Sequence, residues 1–299
     1  MDLKTAVRRA VNGLLAPAGL EIRRRGVPES PSADRATLEG MLAQARSVGF
    51  IPGTVVDVGA AYGSLTRACR AVFPSCGVVL VEPIAEYRPH LERLARSIPG
   101  ARFVEAAAAA AGGSVTIHVH TDLVGSSLFL EDEGTDVNGV PREVPSTTLD
   151  AIDEAAAFAP PVLIKLDVQG AELDVLRGAE RVLEATELII VETSLFRVFH
   201  GGPLLHEVVD HLARRGFVVY DVAGQQYRPL DGALIQVDLA FVRDAGPFRA
   251  LHQYATPEQR AEQDRRFARS RRPRRFVSFR SLMMCCRRCK KNTALTIDL

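Results

Sequence analysis

Apolar residues along this chain switch between two spacings. In "ADRATLEGMLAQARSVGF" (33–50), Leu38, Met41, Leu42, Ala45 and Val48 fall at the three-and-four spacing of a helix laid on a core. "TVVDVG" (54–59) then packs apolar residues together as a strand does, and "SLTRACRAVF" (64–73) returns to the helical spacing. The switch repeats: "GVVLVEP" (77–83) strand, "EYRPHLERLARSI" (86–98) helix, "ARFVEAA" (101–107) strand. "SVTIHVH" (114–120) alternates with period two, as a half-buried or edge strand would, which turns His118 and His120 to solvent on one face. Residues 121–147 are polar and rich in Gly and Ser and read as a loop with one short strand. "TTLDAIDEAA" (147–156) gives a short helix, and "PVLIKLDV" (161–168) is the near-continuous apolar run of a central parallel strand. "AELDVLRGAERVLE" (171–184) reads as one amphipathic helix, "ELIIVETS" (187–194) as a buried strand, and "PLLHEVVDHLARRG" (203–216) as a helix ended by Gly216. "FVVYDV" (217–222) and "VDLAFVR" (237–243) close the series with turn-rich chain between them.

Strands alternating with helices in this way predict a doubly wound α/β sheet, mostly parallel. The last two strands lack a helix between them and so pair antiparallel at the sheet edge, giving an antiparallel terminal strand. The run of six alanines at 106–111 is low complexity and carries little information.

Ligands of such sheets bind beyond the carboxyl ends of the strands. "VVDVGAAYGS" (55–64) supplies a candidate site there: Asp57 ends the first strand, and Gly59, Ala60, Ala61, Tyr62 and Gly63 form the turn into a helix. The spacing D-x-G-x-x-x-G is not the G-x-G-x-x-G of a dinucleotide site. A carboxylate ahead of the turn repels a pyrophosphate and suits an ammonium group. Glu82, followed by Pro83, ends the second strand, where a carboxylate accepts hydrogen bonds from both hydroxyls of a ribose. Ala107, at the end of the third strand, joins these as a cofactor-binding candidate. Together they suit S-adenosylmethionine; taken singly, Asp57 also reads as a helix cap and Glu82 as a turn residue.

With "VVDVGAAYGS", "VVLVEP", "STTLDAI" and "VLIKLDVQGAELDVLRGAERVL", the chain resembles the FkbM family of S-adenosylmethionine-dependent methyltransferases over residues 35–245. The resemblance implies a class I (Rossmann-like) methyltransferase fold and O-methylation of a hydroxyl on a sugar, glycolipid or natural product. The chain is read as an N-terminal helical segment (1–49), a methyltransferase domain (50–249) and a basic tail (250–299). Two positions depart from the family pattern: Ala61 stands where an Asn is usual, and Gln169 where a Glu is frequent.

Methyl transfer to a hydroxyl needs the oxygen held near the methyl group and its proton removed or shared. Asp167 and Glu192 end the fourth and fifth strands and are candidates for that role or for holding Mg²⁺, which takes few protein carboxylates. Lys165 neutralises them in the competing reading. His200, in "FHGGP", is a second candidate base; His206 reads as a surface residue and Glu172 as a helix cap. The loop 121–147 and residues 194–203 are expected to choose the acceptor.

Charge separates the chain into unlike parts. Residues 257–299 carry 13 Lys and Arg against 4 Asp and Glu; subtracted from the totals of 37 and 36, this leaves 24 against 32 for residues 1–256. The basic tail reads as a disordered extension, and by charge alone would suit nucleic acid or an anionic membrane. Its Cys285, Cys286 and Cys289 fall short of a four-ligand zinc site. Cys69 and Cys76 are isolated, which fits a reducing, cytoplasmic location. No apolar run approaches the ~18 residues of a membrane span, and the N-terminal "MDLKTAVRRAVNGLLAPAGL" reads as an amphipathic helix rather than a leader. Two rival functions remain open: a nicotinamide-dependent oxidoreductase, and a noncatalytic protein that binds nucleic acid or membrane through the tail.

Overall fold

The computed structural model describes residues 35–131 and 137–270. The expected first helix of the N-terminal segment and the cysteine-containing part of the tail lie outside them. The chain divides into two units, Met1–Ala250 and Leu251–Leu299.

In the first unit, helix α1 (Leu38–Ser47) is capped by the Thr37 hydroxyl, which accepts from Gly40 N at 3.1 Å. The sheet elements follow: β1 (Thr54–Val58), α2 (Ser64–Val72), β2 (Gly77–Val81), a 3-10 turn (Ala85–Tyr87), α3 (Arg88–Ser97) and β3 (Arg102–Val104). After β4 (Ala107–Ala108), β5 (Gly113–Val119), β6 (Val140–Thr147) and α4 (Leu149–Ala156) come β7 (Val162–Leu166), α5 (Glu172–Arg177), α6 (Glu180–Glu184) and β8 (Thr186–Ser194). The unit ends with α7 (Leu205–Ala213), β9 (Phe217–Tyr227) and β10 (Leu234–Arg243).

Seven strands form one sheet in the order β3-β2-β1-β7-β8-β10-β9. β1, β2, β3, β7 and β8 run parallel; β10 is antiparallel to both neighbours and slots between β8 and β9, so β9 is the edge. Helices cover both faces. Val55, Leu80, Leu163 and Ile190 point to the side of α1, α2 and α3, where Leu42, Cys69 and Leu91 wait for them. Val56, Val58, Ile164 and Val191 point to the side of α4–α7, against Leu149, Leu176 and Leu212. This two-sided burial is why β1 and β7 read as unbroken apolar runs. Cys69 and Cys76 are free thiols inside the core. Among the described residues no helix is long and apolar enough to cross a membrane.

Two expectations need correction. Residues 121–147 hold not a short strand but the eight-residue β6, paired with β5 from Val119↔Val140 to Gly113↔Ser146 and flanked by β4 in a second sheet. Pro141 and Pro145 disguise it in the sequence. Pro141 sits opposite His118, whose N–H and C=O are both bonded to Ser127 instead, so no ladder bond is missed there. His118 and His120 are half-buried rather than turned to solvent. The second correction concerns 171–184, which is two helices. At the break, a Cβ on Gly178 would stand 2.1 Å from Ala109 O. Asp150 then caps the second helix from α4, accepting from Arg181 N at 3.1 Å and Val182 N at 3.0 Å.

In the second unit, Pro257–Ser270 forms helix α8, in which Glu262 pairs with Arg265 at 2.9 Å and Arg266 at 3.0 Å.

Candidate functional site

A cavity opens at the carboxyl ends of β1, β2 and β7. Its walls come from Gly59 and Ala61, from Glu82, Pro83, Ile84 and Tyr87, from Ala106, Ala107 and Ala108, and from Asp167, Val168 and Gln169. Leu123, Val124, Ser126, Ser127 and Leu128 close it from the loop after β5. The described residues include four non-glycine positions with left-handed backbone, and three of them, Ala61 (φ 44°), Leu123 (φ 66°) and Gln169 (φ 49°), line this cavity. Such strain persists where surrounding structure over-determines it, and it concentrates at ligand sites.

Glu82 is the central polar group of the cofactor half. Its Oε2 accepts from Ala61 N at 3.0 Å and its Oε1 from Ile84 N at 2.9 Å. The carboxylate thus fixes the turn after β1 and keeps lone pairs for a ligand. Burial pushes its pKa up to about 7 despite those two N–H donors. The apolar walls beside it suit a planar base, and the carboxylate suits a ribose.

Gly59 and Ala61 of the D-x-G-x-x-x-G stretch line the cavity, while Asp57 works from behind the wall. Asp57 is 2 % exposed, and its Oδ2 accepts from the Thr66 hydroxyl at 2.6 Å and Thr66 N at 3.2 Å. Burial raises its pKa to about 6 against that hydrogen bond. The geometry is that of the helix anchor; Asp57, Ala60, Tyr62 and Gly63 are not among the lining residues. Gly59 (φ 74°) is required by close packing, since a Cβ there would lie 1.8 Å from Asp167 O. Tyr62 packs edge-on against Tyr87 with ring centroids 4.8 Å apart.

Strand register gathers the acidic residues. Asp57 pairs with Lys165, Lys165 with Ile190, and Glu192 with Asp238, so alternation puts Asp57, Lys165, Glu192 and Asp238 on one sheet face. Lys165 is buried, 3.4 Å from Asp167 Oδ2 and 3.4 Å from Asp238 Oδ1. Burial opposes its charge, but Asp167, Asp238, Glu192 and Asp57 outweigh it and raise its pKa. Burial first, and then the Asp167 charge, push Glu192 upward. Burial also lifts Glu172 to about 7, while its Oε1 accepts from Gly170 N at 2.9 Å, which ties down the turn ahead of α5 instead of capping a helix N–H as expected.

Gln169 joins this cluster to the cavity, a role the sequence did not mark. Its Nε2 donates to Asp167 Oδ1 at 3.0 Å and to Glu192 Oε2 at 2.8 Å. Gln226 and Gln236 donate to the same Glu192 at 3.0 and 3.1 Å. The proposed Mg²⁺ pair Asp167 and Glu192 is therefore bridged by an amide, a donor where a cation needs an acceptor. Among the described residues no group of three His, Cys, Asp or Glu is placed to hold a metal ion. The donor set does not fit Mg²⁺. It does fit S-adenosylmethionine, whose sulfonium is cationic: Glu82 and Asp167 line the cavity, and Asp57, Glu172 and Glu192 stand in the field behind them. The same field disfavours a nicotinamide dinucleotide, whose pyrophosphate is anionic.

His200 is exposed; its backbone N donates to Leu130 O at 2.8 Å, and it does not line the cavity. His206 is exposed on α7.

The model of the Methyltransferase FkbM domain matches residues 57–219 of the chain. No curated protein matches it. Among solved structures, a 1,6-didemethyltoxoflavin-N1-methyltransferase from Burkholderia thailandensis is similar at 14% identity and a TM-score of 0.38, over 80% of this chain and 88% of that one. An rRNA methylase from Streptococcus thermophilus is similar at 11% identity and a TM-score of 0.38, over 69% of this chain and 93% of that one. The sheet order, the cavity at its switch point and a family match spanning more than half of the chain lead to one conclusion: this protein belongs to the FkbM methyltransferase domain family, whose members are methyltransferases that use S-adenosylmethionine.

Proposed function

We propose that the protein methylates a hydroxyl oxygen on a small-molecule or glycan acceptor. One observation carries this reading. Asp167 lines the cofactor cavity and also belongs to the polar cluster of Gln169, Glu192, Gln226 and Gln236 beside it. A hydroxyl held by those amides and carboxylates would sit next to the methyl donor.

When bound, S-adenosylmethionine supplies an electrophilic methyl carbon on a sulfonium. Glu82 would hold the ribose, the Ala106–Ala108 wall with Ile84 would cover the base, and Asp57 keeps the turn in place through Thr66. Asp167 would accept the hydroxyl proton, and since the leaving thioether is neutral no second acid is needed. Lys165, 3.4 Å from Asp167 Oδ2, orients the carboxylate. Leu123, Val124, Ser126, Ser127 and Leu128 shield the cavity from water.

In the described part of the tail, Arg265 and Arg266 of helix α8 are paired with Glu262, which leaves less free positive charge there for nucleic acid or membrane. The acidic field of the first unit also opposes a nucleic-acid acceptor. The test is incubation with methyl-labelled S-adenosylmethionine and panels of sugars, glycolipids, hydroxylated natural products and RNA. Label in an ether methyl, reduced by about 100-fold or more in Asp167→Asn, supports the reading; label in RNA or on nitrogen overturns it.

A further inference from the structure

We propose that Gln169 takes the place of a divalent cation between Asp167 and Glu192, so that this acceptor site works without a metal. Its catalytic meaning rests on the function proposed above; the binding claim does not.

A cation shared by two carboxylates would stand between their oxygens at about 2.1 Å from each. Here the Gln169 amide nitrogen stands between them at hydrogen-bond range, 3.0 Å from Asp167 and 2.8 Å from Glu192. The other oxygens are engaged as well. Asp167 Oδ2 faces Lys165 Nζ at 3.4 Å, and Glu192 Oε1 receives Gln226 at 3.0 Å. A metal would have to displace the amide and then sit beside a buried ammonium.

The backbone holds this amide where it is. Gln169 adopts φ 49°, a left-handed conformation that a non-glycine residue keeps only where its surroundings over-determine it. The Ser127 hydroxyl donates to Gln169 O at 2.5 Å, tying it to the loop that closes the cavity. Nε2 is committed to both carboxylates. Gln169 is thus a positioning residue: it fixes Asp167 and balances two like charges without adding charge of its own.

A carboxylate of the same shape at this position would reverse that balance. Three acids would crowd one point and would require a cation or a proton. The experiment is Mn²⁺ titration, by calorimetry and electron paramagnetic resonance, of the ligand-free full-length protein. Wild type, Gln169→Glu, Gln169→Met and Asp167→Asn are compared, with S-adenosylhomocysteine affinity measured in parallel. Wild type should bind Mn²⁺ no better than Asp167→Asn. Gln169→Glu should bind one Mn²⁺ at least about tenfold tighter than wild type, and Mn²⁺ should raise its melting temperature. Gln169→Met, which removes the bridge without adding charge, should also exceed wild type and covers the case of a misfolded Gln169→Glu. Stoichiometric Mn²⁺ binding by wild type that Asp167→Asn abolishes would overturn the proposal, as would no gain in either Gln169 variant. Failure of wild type to bind S-adenosylhomocysteine would count against the cofactor assignment alone.

Discussion

Thr66 holds Asp57 with two donors, its hydroxyl at 2.6 Å and its backbone N–H at 3.2 Å from the same carboxylate oxygen. The end of β1 is thereby fastened to the first turn of α2. Both residues are buried, so the hydroxyl is not replaceable by water. Thr66→Val should cost about 1–3 kcal/mol of unfolding free energy, measured by urea denaturation, and Thr66→Ser clearly less. Equal stability of all three proteins would remove the anchor role.

Glu82 serves both the turn and the ligand. Glu82→Gln turns an NH₂ toward a backbone N–H and removes the charge. The affinity for S-adenosylhomocysteine should fall by about tenfold or more in calorimetry. In wild type the affinity should rise with pH and level off above about 7, where Glu82 is ionised. A flat profile would place the ribose elsewhere.

Stability should move the opposite way with pH. Burial lifts Asp57 from 3.8 to about 6, and Glu82 and Glu172 from 4.5 to about 7. The folded protein then binds protons more readily than the unfolded chain, so stability is highest below the ordinary values and falls as pH climbs through the raised ones. Melting temperature of the ligand-free protein should fall between about pH 5 and 7. Glu172→Gln, which retains an oxygen for Gly170 N, should make the slope shallower.

Gly59 tests the junction of the two site strands. In Gly59→Ala the new methyl meets Asp167 O, and the residue is strained at φ 74°. A loss of at least about 2 kcal/mol is expected in urea unfolding. A variant of unchanged stability would mean that β1 and β7 separate more easily than their packing indicates.

The sequence made the sheet legible because its strands are buried on both faces and its helices on one. Val55–Asp57 and Leu163–Lys165 carry that signal in their own composition. Glu82 was legible as well, because a carboxylate that follows four apolar residues at a strand end has few structural duties. Residues whose importance depends on partners distant in sequence were not. Gln169 became a bridge only once β8 brought Glu192 beside it, and it looked like a lost acid in the sequence. Ala107 was a candidate; its neighbours Ala106 and Ala108 looked like filler, yet small side chains are what leave the cavity its space. The break at Gly178 depends on the backbone of Ala109, some seventy residues earlier. Asp57 was readable as an acid at a strand end, but its commitment to Thr66 depended on how closely α2 follows the turn.

The central claim is that this cavity binds the methyl donor through Glu82. Calorimetric titration of the full-length protein with S-adenosylhomocysteine, with NAD⁺ in parallel, tests it most directly. The structure predicts a dissociation constant on the order of micromolar for S-adenosylhomocysteine, weakened in Glu82→Gln, and no measurable binding of NAD⁺. Binding of NAD⁺ alone, or S-adenosylhomocysteine affinity indifferent to Glu82, would contradict it.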